Sequence, residues 1–132
     1  MRKLNIAILS YRSAQFGGGQ GVYIRDISNA LKLKGHNVDV ISGPPYPNLN
    51  SGINLIKLPG LDLFETFSFR DRVRKFFRKK NKKIDDYYEF FSVLFGGFPE
   101  PRNFGKRAAR YLELHNNYDL VIDNQSLSYG MI

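Results

Sequence analysis

The sequence predicts an α/β fold, a parallel sheet with flanking helices, and three observations carry that prediction. Four short apolar runs, at 3–9, 37–42, 53–58 and 118–123, are each stopped by glycine, proline or a polar cluster. Stretches of helical periodicity lie between the first run and the second and between the third and the fourth. The 132 residues, 42% of them hydrophobic, suit a single domain that buries a core.

The first run, KLNIAIL, is rich in branched side chains and ends at Ser10 in a polar, Gly-rich stretch, as a strand buried on both faces does. After the glycines, Tyr23, Ile27, Ala30 and Leu31 fall on one face of a helix of about four turns, and Gly35 stands where a left-handed residue would end it. NVDVIS is the second strand, stopped by Gly43-Pro44-Pro45, and INLIKL the third, stopped by Pro59-Gly60. Strand, helix and strand with short joints make a βαβ unit. The region 61–100 reads as an aromatic and basic helical insertion; ten of the 11 Phe lie between Phe64 and Phe104. One helical stripe there joins Phe69, Val73, Phe76 and Phe77, and a second joins Ile84, Tyr87, Tyr88, Phe91, Leu94 and Phe95. A further helix takes 102–116, with Phe104, Ala108, Tyr111, Leu112 and His115 on one stripe, and YDLVID is a buried-type strand opening into Asn124-Gln125-Ser126. The last residues, Tyr129 to Ile132, resemble the start of another αβ unit, so the sequence reads as a truncated domain spanning 1–132.

Charge is concentrated. Residues 1–69 carry 7 basic and 4 acidic groups, residues 70–83 carry 9 and 1, and residues 84–132 carry 4 and 7, so one segment of +8 equals the whole net charge. The absence of cysteine excludes disulfides, thiolate metal sites and a Cys nucleophile. The N-terminus lacks a signal-type cleavage site and reads as a strand, and no apolar run approaches the roughly 20 residues that span a bilayer, which makes a cytoplasmic chain the expectation.

In an open parallel sheet, ligands bind beyond the carboxyl ends of the strands. Two segments reach that edge. In the 10–21 loop, Gly17, Gly18, Gly19 and Gln20 admit close backbone approach, and the helix that follows offers free N–H groups to an anion; the alternative is a surface loop that only joins strand to helix. Asp123, Asn124 and Gln125 follow an apolar strand as a polar cluster; the alternative is a capping turn. Sharper motifs fail. G-x-G-x-x-G from Gly17 or Gly19 meets Val22 or Ile24 at its last position, and no phosphate-binding G-x-x-x-x-G-K-[ST] occurs. A phospho-receiver needs acids where Ser10 and Tyr11 stand. His36 and His115 read as caps or satisfied, semi-buried rings, and two isolated histidines argue against a metal site. No catalytic constellation is visible.

One longer string goes further. GGQGVYIRDISNALKLKGHNVDVIS, from Gly18 to Ser42, resembles the N-terminal domain of GT-B retaining glycosyltransferases of family 4. That pattern has an apolar first strand, Gly-Gly, twelve residues ending in Ala-Leu (here Ala30-Leu31), three more, and G-H-x-V-x-V, met by Gly35, His36, Val38 and Val40. ILSYRSAQFGGGQG, SGPPYP, GGFPEPRNF and YDLVIDNQSLSYG extend the resemblance over nearly the whole chain. It implies a Rossmann-like fold, half of a GT-B architecture, with an acceptor bound mainly here and a nucleotide-sugar donor mainly by a second domain. It implies no cofactor or metal beyond that co-substrate. Gly18 and Gly19 are then expected to let the loop approach the donor diphosphate or the transferred sugar. Many such proteins carry a histidine at the end of the strand at 119–123, where this chain has Ile122, Asp123 and Asn124. With the donor domain missing, the chain alone is expected to be inactive and to need that domain or a second chain as partner.

The implied activity is sugar transfer to an envelope, lipid-linked or small-molecule acceptor. The rival is a non-catalytic module binding an anionic membrane surface or polymer. For it, Phe69, Phe76 and Phe77 form the apolar stripe, and Arg70, Arg74, Lys75, Arg78 and Lys79 the basic flank, of an interfacial helix, which would place the chain peripherally at the inner face of a membrane. A nucleic-acid partner is not expected, because the aromatic residues sit on helical stripes instead of alternating on a sheet face.

Overall fold

The computed structural model describes residues 1–13, 19–59 and 100–124, together with the helical positions Arg74, Phe77, Arg78, Ile84 and Tyr87. In chain order the elements are β1 (Asn5–Ser10), α1 (Gly19–Leu33), β2 (Asn37–Ser42), β3 (Asn54–Lys57), α2 (Glu100–Leu114) and β4 (Leu120–Asp123). The four strands make one parallel sheet in the order β3-β2-β1-β4. This is the α/β architecture the apolar runs imply, with each strand within two residues of its expected bounds.

β1 lies at the centre of the sheet and is buried from Ile6 to Ser10. Successive residues of a strand point to opposite faces, and the two faces carry separate cores. Ile6, Ile8, Val38 and Val40 meet Ile24 of α1 on one face, with Ile27 and Leu31 packed around them. Ala7, Leu9 and Ile41 meet Phe104 and Ala108 of α2 on the other. Among the described residues, one helix covers each face.

α1 ends where the sequence places its stop. Gly35 has φ of +92°, its N–H bonds the Lys32 carbonyl (2.8 Å), and the His36 N–H reaches back to Leu31 (3.3 Å), the paired bonds of a Schellman cap. The buried face of α1 is in part the expected one, since Ile27 and Leu31 pack against the core, and in part different. Gly21, Ile24 and Ser28 face the sheet, whereas Tyr23 is half exposed and Ala30 exposed. The cause is close approach: small residues let the helix backbone near the branched side chains of β1 and β2, and their low hydrophobicity hides that face from a periodicity count. α2 ends two residues early, and His115 lies exposed past its end, stacked on the Tyr111 ring at a centroid distance of 4.2 Å. β4 also departs from expectation. Read as a buried strand, it occupies the sheet edge with Leu120 and Val121 more than two-fifths exposed.

Candidate functional site

The carboxyl edge of the sheet is assembled from four chain segments. After β1, Ser10 and Ser13 are fully buried and their hydroxyls hydrogen-bond each other. The turn after β2 clamps that stretch: Gly43 N–H donates to the Ser10 carbonyl (3.3 Å) and Ser13 N–H to the Pro45 carbonyl (3.1 Å). The Pro44–Pro45 peptide is cis. Ser42, also buried, donates its hydroxyl proton to the Gly43 carbonyl at 2.9 Å. Gly43 is there for space. A Cβ at this position would stand 2.7 Å from the Tyr11 carbonyl oxygen and 3.3 Å from the Phe104 ring. The chain entering the glycine-rich loop is thus held by backbone bonds and close packing.

Gly19 opens α1, and an added Cβ there meets nothing within 4 Å. No acidic side chain occupies the first turn of α1, so its N-terminal N–H groups and positive dipole end are not offset locally. Across the edge, Asn124 follows β4 and its N–H continues the ladder to the Leu9 carbonyl (3.2 Å). Its side-chain amide donates to Gln20 Oε1 at 3.3 Å. Gln20 and Asn124, 104 residues apart in sequence, therefore meet at the end of β1. Asp123, in register with Leu9, is exposed beside them. Gly17, Gly18 and Gln125 lie outside the described residues. A third wall stands at β3, where Lys57 Nζ sits 5.1 Å over the Tyr46 ring and the Tyr46 hydroxyl donates to the Leu58 carbonyl (3.4 Å).

The chemistry available is recognition of a polar or anionic ligand: helix N–H groups, two carboxamides and one carboxylate on a rigid base. Among the described residues no three His, Asp or Glu side chains group as metal ligands would. His36 is engaged away from this edge, its Nδ1 accepting the Leu4 N–H at 3.2 Å. The role of Gly43 and Ser13 in holding the loop escaped the sequence, where Gly-Pro-Pro signalled only a strand stop.

Of the basic–aromatic segment, Arg74, Phe77 and Arg78 are helical, and Phe77 is 68% and Ile84 88% exposed. Phe69, Arg70, Lys75, Phe76 and Lys79 lie outside the described residues, as does most of the 61–100 stretch. Among the described residues no helix is long and apolar enough to cross a membrane.

No family model matches the chain. It is 42% identical over 131 residues, 98% of its length, to a protein of Mycolicibacterium hassiacum named MMP alpha-(1->4)-mannosyltransferase. The chain spans about a third (31%) of that relative's length. A parallel α/β sheet and this similarity agree with the glycosyltransferase resemblance carried by the Gly18–Ser42 string.

Proposed function

We propose that the chain is the acceptor-side, N-terminal part of a nucleotide-sugar-dependent retaining glycosyltransferase, and that the sugar it helps to transfer is mannose. The observation that carries this reading is the similarity to a mannosyltransferase along 98% of the chain. The relative's name specifies an α linkage, and an α linkage made from an α-configured sugar nucleotide is net retention. The remaining two thirds of such a protein would supply most of the donor site.

In this reading the carboxyl edge faces the transfer cleft. The open N-terminus of α1 lowers the cost of the negative charge that develops on a departing nucleoside diphosphate, and Gly19 keeps side-chain bulk away from it. The Gln20–Asn124 pair presents carboxamide edges to sugar hydroxyls, with Asn124 standing near the place where many such proteins carry a histidine. The Ser10–Ser13–Gly43 clamp fixes the chain at the end of β1, where it leaves the sheet toward the cleft.

The test joins this chain to the missing two thirds of the mannosyltransferase and assays transfer from nucleotide-activated mannose. The joined protein is expected to transfer mannose and residues 1–132 alone to show none. Gly19→Val in the joined protein should block backbone approach and lower turnover by about a hundredfold, the lower end of what loss of one oxyanion donor costs, with an unchanged melting temperature. Transfer by the isolated chain, or wild-type turnover by Gly19→Val, would overturn the proposal.

A second reading rests on Phe77 and Ile84, large apolar side chains left exposed beside Arg74 and Arg78. It makes the segment a site for an anionic membrane surface, each basic residue contributing on the order of 1 kcal/mol. Co-sedimentation should require anionic lipid, weaken with salt, and fall when Arg74, Lys75, Arg78 and Lys79 are changed to Gln; equal binding to neutral vesicles would remove it.

A further inference from the structure

The opposite, amino-terminal edge of the sheet holds a groove that the transfer reading does not use. Its volume is about 560 Å³, within the range of small-ligand pockets. Three of the four strands begin with asparagine: Asn5, Asn37 and Asn54 open β1, β2 and β3. A fourth, Asn117, precedes β4. Parallel strands bring all four to the same edge, where they line one concavity.

Part of this set is already tied into the fold. Asn37 donates to Asn5 Oδ1 (2.7 Å), and Asn5 donates to the Asn117 carbonyl (3.2 Å). The Tyr118 hydroxyl donates to Asp39 Oδ2 at 2.7 Å, which leaves the other carboxylate oxygen as an acceptor. Other groups have no protein partner among the described residues: the Lys3 ammonium and the side-chain amides of Asn54 and Asn117. Because His36 Nδ1 accepts the Leu4 N–H, the neutral ring carries its proton on Nε2 and offers a donor. Gly35, at positive φ and with nothing within 4 Å of where a Cβ would stand, keeps one point of the wall free of side chains. Gly52, also at positive φ, leaves room for the Lys32 side chain, which bonds the Ser51 carbonyl.

The geometry points to this groove as a saccharide-binding site, separate from the transfer edge and at the other end of the strands. Carboxamides offer a donor and an acceptor side by side, the pattern that a pair of neighbouring hydroxyls meets with one bond of each kind. The Asp39 carboxylate in the lining repels a polyanion, so Lys3 and Lys32 do not make the groove a phosphate site. With few apolar groups in the lining, a lipid or an apolar ligand gains little by entry. A neutral, hydroxyl-rich ligand of about two sugar rings fits both the chemistry and the volume. The site would hold a stretch of glycan away from the reacting end.

The choice of glycan rests on the transfer reading, whereas the groove itself is tested by binding alone, so the two can fail separately. The 132-residue chain, labelled with ¹⁵N, is titrated with α-(1→4)-linked mannotetraose and separately with inorganic phosphate, and its amide resonances are followed. Saturable shifts from the tetraose are expected at Lys3, His36, Asn37, Asn54 and Asn117. Asn54→Ala combined with Asn117→Ala should weaken that binding about tenfold without moving the melting temperature, because neither side-chain amide bonds to the fold. Shifts confined to Gly19, Gln20 and Asn124 would return the saccharide to the transfer edge and overturn the assignment. Saturation by phosphate with none by the tetraose, or no saturable shift at the groove, would overturn it as well.

Discussion

The two faces of the sheet are packed with different side chains, one core aliphatic throughout and the other built with aromatic rings. On the face under α1 the strands supply Ile6, Ile8, Val38 and Val40, and the helix supplies Ile24 with Ile27 and Leu31 around it, while Gly21 and Ser28 are also buried against the sheet. On the face under α2 the helix supplies an aromatic ring, Phe104, and the small Ala108, over Ala7, Leu9 and Ile41 of the sheet, with Gly43 beside the ring. The first face is apolar through Ile6, Ile8, Val38 and Val40 and turns polar at its carboxyl end, where Ser10 and Ser42 are buried. The second turns polar at its amino end, where Asp39 lies between Ile41 and the Tyr118 hydroxyl. Volume has to match across an interface, and it matters little which side provides it.

Deleting the bulky partner on each face is the strongest way to break this comparison. Phe104→Ala should cost about 3–5 kcal/mol and Ile24→Ala about 2–5 kcal/mol in urea unfolding, with Phe104 the larger because more buried volume is removed. If Ile24→Ala costs more, the faces are not organised as described. Adding volume comes next. Gly43→Ala should cost about 1–3 kcal/mol by overpacking. Phe104→Leu should not relieve it, because the nearer obstacle is the Tyr11 carbonyl at 2.7 Å and not the ring; recovery in the double variant would place the strain on the ring instead.

The smallest effect belongs to the polar corner. Burial, then the hydrogen bond to the Asp39 carboxylate, pushes the Tyr118 hydroxyl above the ordinary tyrosine range. The folded chain keeps a proton that the unfolded chain releases above about pH 10. The stabilisation is therefore complete below that pH and is lost as pH rises beyond it. Tyr118→Phe should cost about 1 kcal/mol at neutral pH and flatten the loss of stability between neutral pH and alkaline solution. An alkaline profile unchanged by Tyr118→Phe would assign that loss to other groups.

The sequence made the strands legible because apolar runs bounded by glycine and proline leave few alternatives, and Gly35 marked the helix end because only a left-handed residue closes it there. The buried face of α1 was legible only in Ile27 and Leu31, which pack on the core as their spacing predicts; Gly21 and Ser28 carry no hydrophobic signal, and their burial follows from what the sheet presents to them. An apolar run also says nothing about its neighbours, so YDLVID could not announce β4 as an edge. At the candidate site, the rule for parallel sheets brings Gly19, Gln20, Asp123 and Asn124 to one edge, but a bond between residues 104 positions apart, such as Gln20–Asn124, is not a local property. The asparagines opening three strands were present in the sequence as a pattern. They looked like turn residues, and their meaning depends on the strands being parallel.

The placement of β1 between β2 and β4 sets an order of events as the chain leaves the ribosome. Ile6 pairs across to Val38, 32 residues on, but to Leu120 only after 114. Closing the longer loop costs about 1 kcal/mol more in chain entropy, from a logarithmic dependence worth roughly 0.6 kcal/mol per doubling. The β1–α1–β2 unit can therefore assemble early, and until β4 is synthesised the most apolar strand of the protein keeps one row of backbone N–H and C=O groups open to whatever strand arrives first. A nascent chain stalled before residue 120 would be the form most prone to pair with a neighbour.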